Sequence, residues 1–103
     1  MNKIELLYFE SCPLYKQALE NLRAVLAMNN IDTEVELINV DSPDKTETLG
    51  FYGSPSIRIN GVDLEEKDGD YTYACRMYTI NGQTTGVPTE EYILDRMKSL
   101  KMV

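Results

Sequence analysis

The stretch Leu6-Leu7-Tyr8-Phe9-Glu10-Ser11-Cys12-Pro13-Leu14-Tyr15 decides how this chain is read, because it passes from an extended apolar run into the start of a helix. Residues 3–9 become apolar on both faces by Leu6, the pattern of a strand covered on both sides. From Pro13 to about Met28, Leu14, Ala18, Leu22, Val25 and Leu26 recur at three- and four-residue steps. That spacing predicts an amphipathic helix, which Asn29-Asn30 can stop. Pro13 suits the first helical position, since its missing N–H would have no partner there, and this makes Cys12 the expected N-cap. A thiol at that place faces unpaired backbone N–H groups and the positive end of the helix dipole. Both favour the thiolate, the form that attacks disulfides and binds soft metals. The gain is only about 0.3–1 kcal/mol at an exposed helix end. Glu10 and the chain's net charge of −7 oppose it, so the thiolate is favoured modestly.

Working outward, residues 33–40 read as a second strand, with Val35 and Leu37 alternating against Glu34 and Glu36. Strand, helix and strand within 40 residues form a βαβ unit, whose strands should be parallel. Asp41-Ser42-Pro43 predicts a cap and first turn of a short helix ending at Leu49, with Gly50 as its stop. Ser56-Ile57-Arg58-Ile59 alternates as a strand, Asn60-Gly61 signals a hairpin turn, and Val62-Asp63-Leu64 is the return. Glu65 to Asp70 reads as a solvated acidic loop, and the acidic residues near 63–70 lack calcium-loop spacing. Tyr71 to Ile80 predicts one more strand and Asn81-Gly82 another turn. Gly86-Val87-Pro88-Thr89 leads into a last helix whose apolar face is Tyr92, Ile93, Met97 and Leu100.

The 103 residues suit one domain with a modest core, covering residues 1–103. Lys and Arg are scattered and gather only near the C-terminus, around Lys98 and Lys101. A nucleic-acid groove needs clustered cations, so neither nucleic acid nor an anionic membrane surface is an expected partner. Residues 1–10 lack the pattern of a signal peptide, and no stretch approaches the roughly 20 apolar residues of a membrane span. Two cysteines 63 positions apart do not form a secreted disulfide framework, so the expected compartment is the reducing cytoplasm. The chain has no histidine, which excludes His-based zinc sites, Cys–His pairs and Ser–His–Asp triads.

The order βαβ, short helix, β-hairpin and C-terminal helix resembles the thioredoxin fold, above all its small glutaredoxin-like members. Three local matches carry the resemblance. Cys12-Pro13-Leu14-Tyr15 stands where that family opens its first helix with Cys-X-X-Cys; Gly53-Ser54-Pro55-Ser56 precedes the hairpin where it keeps a cis-proline; and Ser56-Ile57-Arg58-Ile59-Asn60-Gly61 matches the glutaredoxin-type strand and turn. The resemblance implies an α/β fold of thioredoxin-like three-layer sandwich type, with an extra strand or loop insertion before the last helix. It also implies a cis Pro55, which would place the Ser54 backbone beside the Cys12 sulfur for an extended peptide or a glutathione to pair with. The chain departs from the family in two ways. Tyr15 stands in place of the second motif cysteine, and residues 65–86 are longer than usual and contain Cys75. Such a chain is similar to atypical thioredoxin-like proteins that lack a Cys-X-X-Cys pair.

Several side chains keep two readings. Cys12 is a nucleophile or a small buried hydrophobe. Cys75 is a resolving thiol, or a packed residue sharing a strand face with Tyr73 and Met77. Arg76 is a surface charge or a group that stabilises a thiolate or a carboxylate ligand; alternation puts it opposite Cys75, which favours the surface charge. Tyr15, one turn after Cys12, either reaches the sulfur or a substrate or packs on the loop. The substrate-binding candidates are Ser54, Pro55, Tyr15 and Pro13. The leading functional expectation is a thiol–disulfide oxidoreductase acting on a protein or small-molecule disulfide. Cys12 attacks, and Cys75 or glutathione as co-substrate resolves, with no other cofactor. The alternatives are a Hg(II) or Cu(I) binder using both thiolates and a non-catalytic binding module.

Overall fold

Strand β1 (Ile4–Tyr8) is the centre of the molecule, flanked by β2 (Val35–Asn39) in parallel and by β4 (Ser56–Ile59) antiparallel. The computed structural model describes residues 2–100, so Lys101 of the C-terminal basic group lies outside the described residues. Strand β5 (Val62–Asp63) returns along β4 through the Asn60-Gly61 turn and completes a four-stranded sheet in the order β2-β1-β4-β5. Both turn residues have positive φ, as a two-residue hairpin requires. The register pairs Leu6 with Leu37 on one side and with Ile57 on the other.

Successive side chains of β1 point to opposite faces, and its apolar run therefore feeds two cores. Ile4 and Leu6 join Ala18, Leu22 and Val25 of helix α1 (Tyr15–Met28) and Ile93 and Met97 of helix α3 (Glu90–Ser99). Leu7 points the other way and packs with Phe9, Cys12, Val40 and Phe51. A fully buried aliphatic side chain such as Leu22 contributes about 1.5–3 kcal/mol. Helix α3 is capped by Thr89, whose hydroxyl accepts from the Tyr92 N–H at 3.1 Å. On the other side of the chain, Ser42 caps the turn Pro43–Lys45 that opens α2 (Thr46–Leu49), and Gly50 ends α2 in the left-handed conformation.

The described residues are thus mixed α/β, with three α-helices and several sheets. Some expectations need correction. Helix α1 begins at Tyr15 with Leu14 as its cap residue, so Cys12 is not the N-cap. The chain first turns through residues 9–12, where the Cys12 N–H meets the Phe9 carbonyl at 3.2 Å, and the Lys16 N–H then closes an i→i+3 turn on Pro13. Leu37 is 45% exposed, because β2 is an edge strand and Val35 alone of the expected pair packs on the first core. The segment 71–80 holds two strands. Strand β6 (Thr72–Cys75) pairs in parallel with β3 (Tyr52–Ser54), while β7 (Tyr78–Ile80) forms a hairpin with β8 (Gln83–Thr85) through Asn81-Gly82.

Between β6 and β7 lies the largest departure. Arg76 does sit opposite Cys75, but its side faces the interior and its side chain is 2% exposed. Its guanidinium donates to both carboxylate oxygens of Asp63 at 2.7 Å, to Glu65 at 2.9 Å and to the Ser56 hydroxyl at 3.1 Å. Asp63 and Glu65 are therefore anchors, not part of a solvated acidic loop. Burial by itself disfavours the guanidinium charge, but the hydrogen bonds and charge of Asp63 and Glu65 outweigh it and hold Arg76 above its ordinary value. Asp63→Asn is expected to cost about 3–5 kcal/mol, since it strips a buried cation of its bidentate partner. Urea unfolding measures this as a lower midpoint at unchanged slope; Lys45→Ala, which breaks the exposed Asp41–Lys45 pair, should leave the midpoint in place.

Candidate functional site: the Cys12–Cys75 disulfide

Cys12 and Cys75 are joined in a disulfide, with Cα atoms 6.0 Å apart and 63 positions of sequence between them. Cys12 enters from the turn after β1 and is 1% exposed. Cys75 enters from the end of β6 and is exposed. The two sulfurs meet over the segment Ser54–Pro55, whose peptide bond is cis. Cys12 Sγ lies 3.7 Å from the Ser54 carbonyl oxygen, and the Ser54 hydroxyl accepts from the Phe9 N–H at 3.3 Å.

Strand β6 reaches this place because β3 offers it an edge and no side chain in the way. The Thr72 N–H donates to the Phe51 carbonyl and the Arg76 N–H to the Ser54 carbonyl, both at 2.9 Å. Gly53 sits between them with φ +98°, and a Cβ there would come within 2.9 Å of the Ala74 carbonyl oxygen. Glycine is required at that position on both counts. The register shifts between the Tyr52–Thr72 and Ser54–Cys75 pairs, an irregularity that lets Cys75 meet Cys12 while Arg76 turns inward. Tyr73 stacks on Phe9 with ring centroids 4.6 Å apart and meets Phe51 edge-on. Tyr78 is fully buried and donates its hydroxyl to the Pro55 carbonyl at 2.6 Å. Burial raises its ionisation above the ordinary range, so it stays a neutral donor.

The candidates from sequence are thus only partly assembled. Cys12, Cys75, Ser54 and Pro55 come together. Pro13 is exposed next to Cys12 in the turn before α1. Tyr15 does not face the sulfur; it stacks on Tyr8 at 4.2 Å and packs against the first core, because helix α1 carries it to the other side of the sheet. The Ser54 carbonyl is not free for a peptide or glutathione, since the chain's own Arg76 N–H takes it. The sequence placed Tyr73 on the Cys75 face but showed neither its stack on Phe9 nor the Tyr78–Pro55 hydrogen bond and the Arg76–Asp63 anchor. A long-range clue existed only for the anchor, in two carboxylates at alternate positions, Asp63 and Glu65, ahead of a single arginine within an apolar segment.

Beside the disulfide lies a cleft of about 240 Å³ lined by Phe9, Glu10, Ser11, Asn39, Asp41 and Tyr73. Its lining reaches Ser11 and Tyr73 but neither cysteine, and a larger cleft, about 350 Å³ and lined by Tyr52, Arg58, Lys67 and Tyr71 among others, also touches neither cysteine. Among the described residues, no group of three or more His, Cys, Asp or Glu side chains is placed to hold a metal ion. No helix among them is long and apolar enough to cross a membrane. Comparison with protein-family models, with curated proteins and with solved structures gives no match in any of the three.

Chemically, the arrangement is a dithiol–disulfide pair with one enclosed and one accessible end. The cross-link also closes a long loop, whose lost freedom in the unfolded chain amounts to about 4 kcal/mol at this separation. Reduction should therefore lower the unfolding free energy by about that amount. Urea titrations with and without a small-molecule reductant measure it, and an unchanged midpoint would show that the cysteines are not linked in solution.

Proposed function

We propose that this chain is a thioredoxin-like thiol–disulfide exchange protein whose redox couple is Cys12–Cys75. The observation that carries the reading is the disulfide itself, formed over Ser54–Pro55 between a cysteine after the central strand and one on the inserted strand β6. The sheet order β2-β1-β4-β5, with α1 and α3 packed on one face and α2 following β2, supports the thioredoxin-like fold. Exposure of Cys75 supports exchange over a purely structural link, because accessible disulfides are the ones that open and re-form.

The reaction is a two-electron transfer. In the reduced protein one cysteine thiolate attacks a substrate disulfide, displaces one substrate thiolate and forms a mixed disulfide. The second cysteine then loses its proton to solvent, attacks the protein sulfur of that bond and releases the other substrate thiolate. The substrate disulfide is reduced to two thiols and the protein dithiol is oxidised to Cys12–Cys75. Two molecules of a small thiol such as glutathione, entering as co-substrate, return the couple to the dithiol, the first forming a mixed disulfide and the second releasing it as the oxidised small-molecule disulfide. Its partners are protein or small-molecule disulfides, and its place is the reducing cytoplasm, where a disulfide cycles and does not persist.

Two-coordinate binding of a soft ion is the second reading, favoured by two sulfurs within bonding reach. One experiment separates them. With a small thiol in excess, wild type should accelerate reduction of a mixed or protein disulfide by about tenfold or more over the thiol alone, and Cys75→Ala should abolish the gain. If wild type gives no acceleration, the exchange reading fails. One-to-one Hg(II) binding that shields both thiols, without acceleration, would establish the metal reading in its place.

A further inference from the structure

Thiol exchange needs a sulfur that an incoming sulfur can approach in line with the bond it breaks, and the two ends of this couple differ sharply in access. Cys12 is 1% exposed, enclosed by Leu7, Phe9, Val40 and Phe51, with the Ser54 carbonyl oxygen 3.7 Å from its sulfur. A carbonyl oxygen accepts a hydrogen bond from a thiol and repels a thiolate, and apolar surroundings disfavour the charged form further. Cys12 also lacks the helix-end N–H groups that would compensate, because Leu14 is the cap residue of α1. Cys75 has the opposite setting. Its strand pairs with β3 along one edge and no other described strand covers it; Cys75 and Ala74 are exposed, as is Met77 at 57%, while Arg76 between them turns inward.

We propose that Cys75 is the attacking thiol of this protein and Cys12 the resolving one, a division of labour opposite to that expected from the position of Cys12 in the sequence. The assignment rests on the exchange reading and specifies which sulfur meets the substrate. The Cys75 thiolate displaces one substrate thiolate and becomes the mixed disulfide on the outer side of β6. The Cys12 thiol gives up its proton to solvent, attacks Cys75 Sγ, and the second substrate thiolate leaves, forming Cys12–Cys75. In the reverse direction a small thiolate attacks Cys75 Sγ and Cys12 is the leaving sulfur. Arg76 and Tyr73 hold β6 on both sides of Cys75, so the attacking sulfur stays over Cys12 throughout.

The test uses the whole chain in its reduced form. Brief treatment with limiting iodoacetamide, followed by peptide mass spectrometry, should label Cys75 at least about tenfold faster than Cys12. A parallel reaction of Cys12→Ala with a chromogenic aromatic disulfide should stop at a stable adduct on Cys75, releasing about half the aromatic thiolate per chain that wild type releases, because the resolving step is lost. Cys75→Ala should react at least about tenfold more slowly. The labelling of wild type stands whether or not Cys12→Ala folds. Faster labelling of Cys12, with an adduct trapped in Cys75→Ala, overturns the assignment while leaving the exchange reading intact. Equal reactivity of the two sulfurs also overturns the assignment alone. Absence of any mixed disulfide in wild type and both variants overturns the exchange reading and the assignment with it.

Discussion

The placement of the site depends on one buried ion pair. Arg76 is driven into the interior between Asp63, at the end of the hairpin, and Glu65, just beyond it. An unpaired guanidinium there would cost several kcal/mol, so the pair must form wherever the chain folds, and its geometry is narrow because the contact with Asp63 is bidentate. That requirement fixes where β6 ends its pairing with β3. The residue before Arg76 is Cys75, and it has nowhere to lie but across from Ser54. The guanidinium also sits over the Tyr78 ring at 4.4 Å, and Tyr78 in turn holds the Pro55 carbonyl. One charged group thereby ties together the hairpin, the proline loop and the strand that carries the second sulfur.

The parts legible in the sequence were those set by local rules. The doubly apolar run of β1, the 3.6-residue stripe of α1, the Ser42 cap and the two Asn-Gly turns each depend on residues a few positions apart, and each formed as the pattern implied. The boundary of α1 misled because Pro13 is acceptable both at a helix start and in the turn before one. Only the Cys12–Phe9 and Lys16–Pro13 hydrogen bonds decide between these, and they come from how the chain leaves the sheet.

What could not be read was set by contacts over long separations. Alternation placed Arg76 opposite Cys75 correctly, but it says nothing about which side is the interior. Here the interior is chosen by Asp63 and Glu65, which belong to another strand and the loop after it. Tyr15 shows the same limit from the other direction. Its spacing of three from Cys12 suggests contact only if both belong to one helix, and Cys12 does not. Cys75 was visible as a thiol, yet its meeting with Cys12 depends on the irregular register of β6 on β3, which has no local signature.

The site also differs in kind from one in which a thiol waits beside an open backbone edge. Here the edge beside Cys12 is already filled, by residues 72–76 of the same chain, and those residues bring a sulfur with them. Strand β6 stands toward Cys12 as a bound, disulfide-linked peptide would stand, with backbone hydrogen bonds on either side of its cysteine. An external substrate therefore has no vacant strand position against Ser54 to occupy while β6 remains in place. On the proposed exchange reading, affinity for a partner would come from the outer side of β6 or from the cleft beside Tyr73, where Cys75 is the exposed cysteine. Since β6 is held by Arg76 and by Tyr73 as well as by the disulfide, opening the S–S bond need not release it. The two sulfurs stay close enough to close again, and that proximity is what a cycling pair requires, because the second step is fast only when the resolving thiol is already in place.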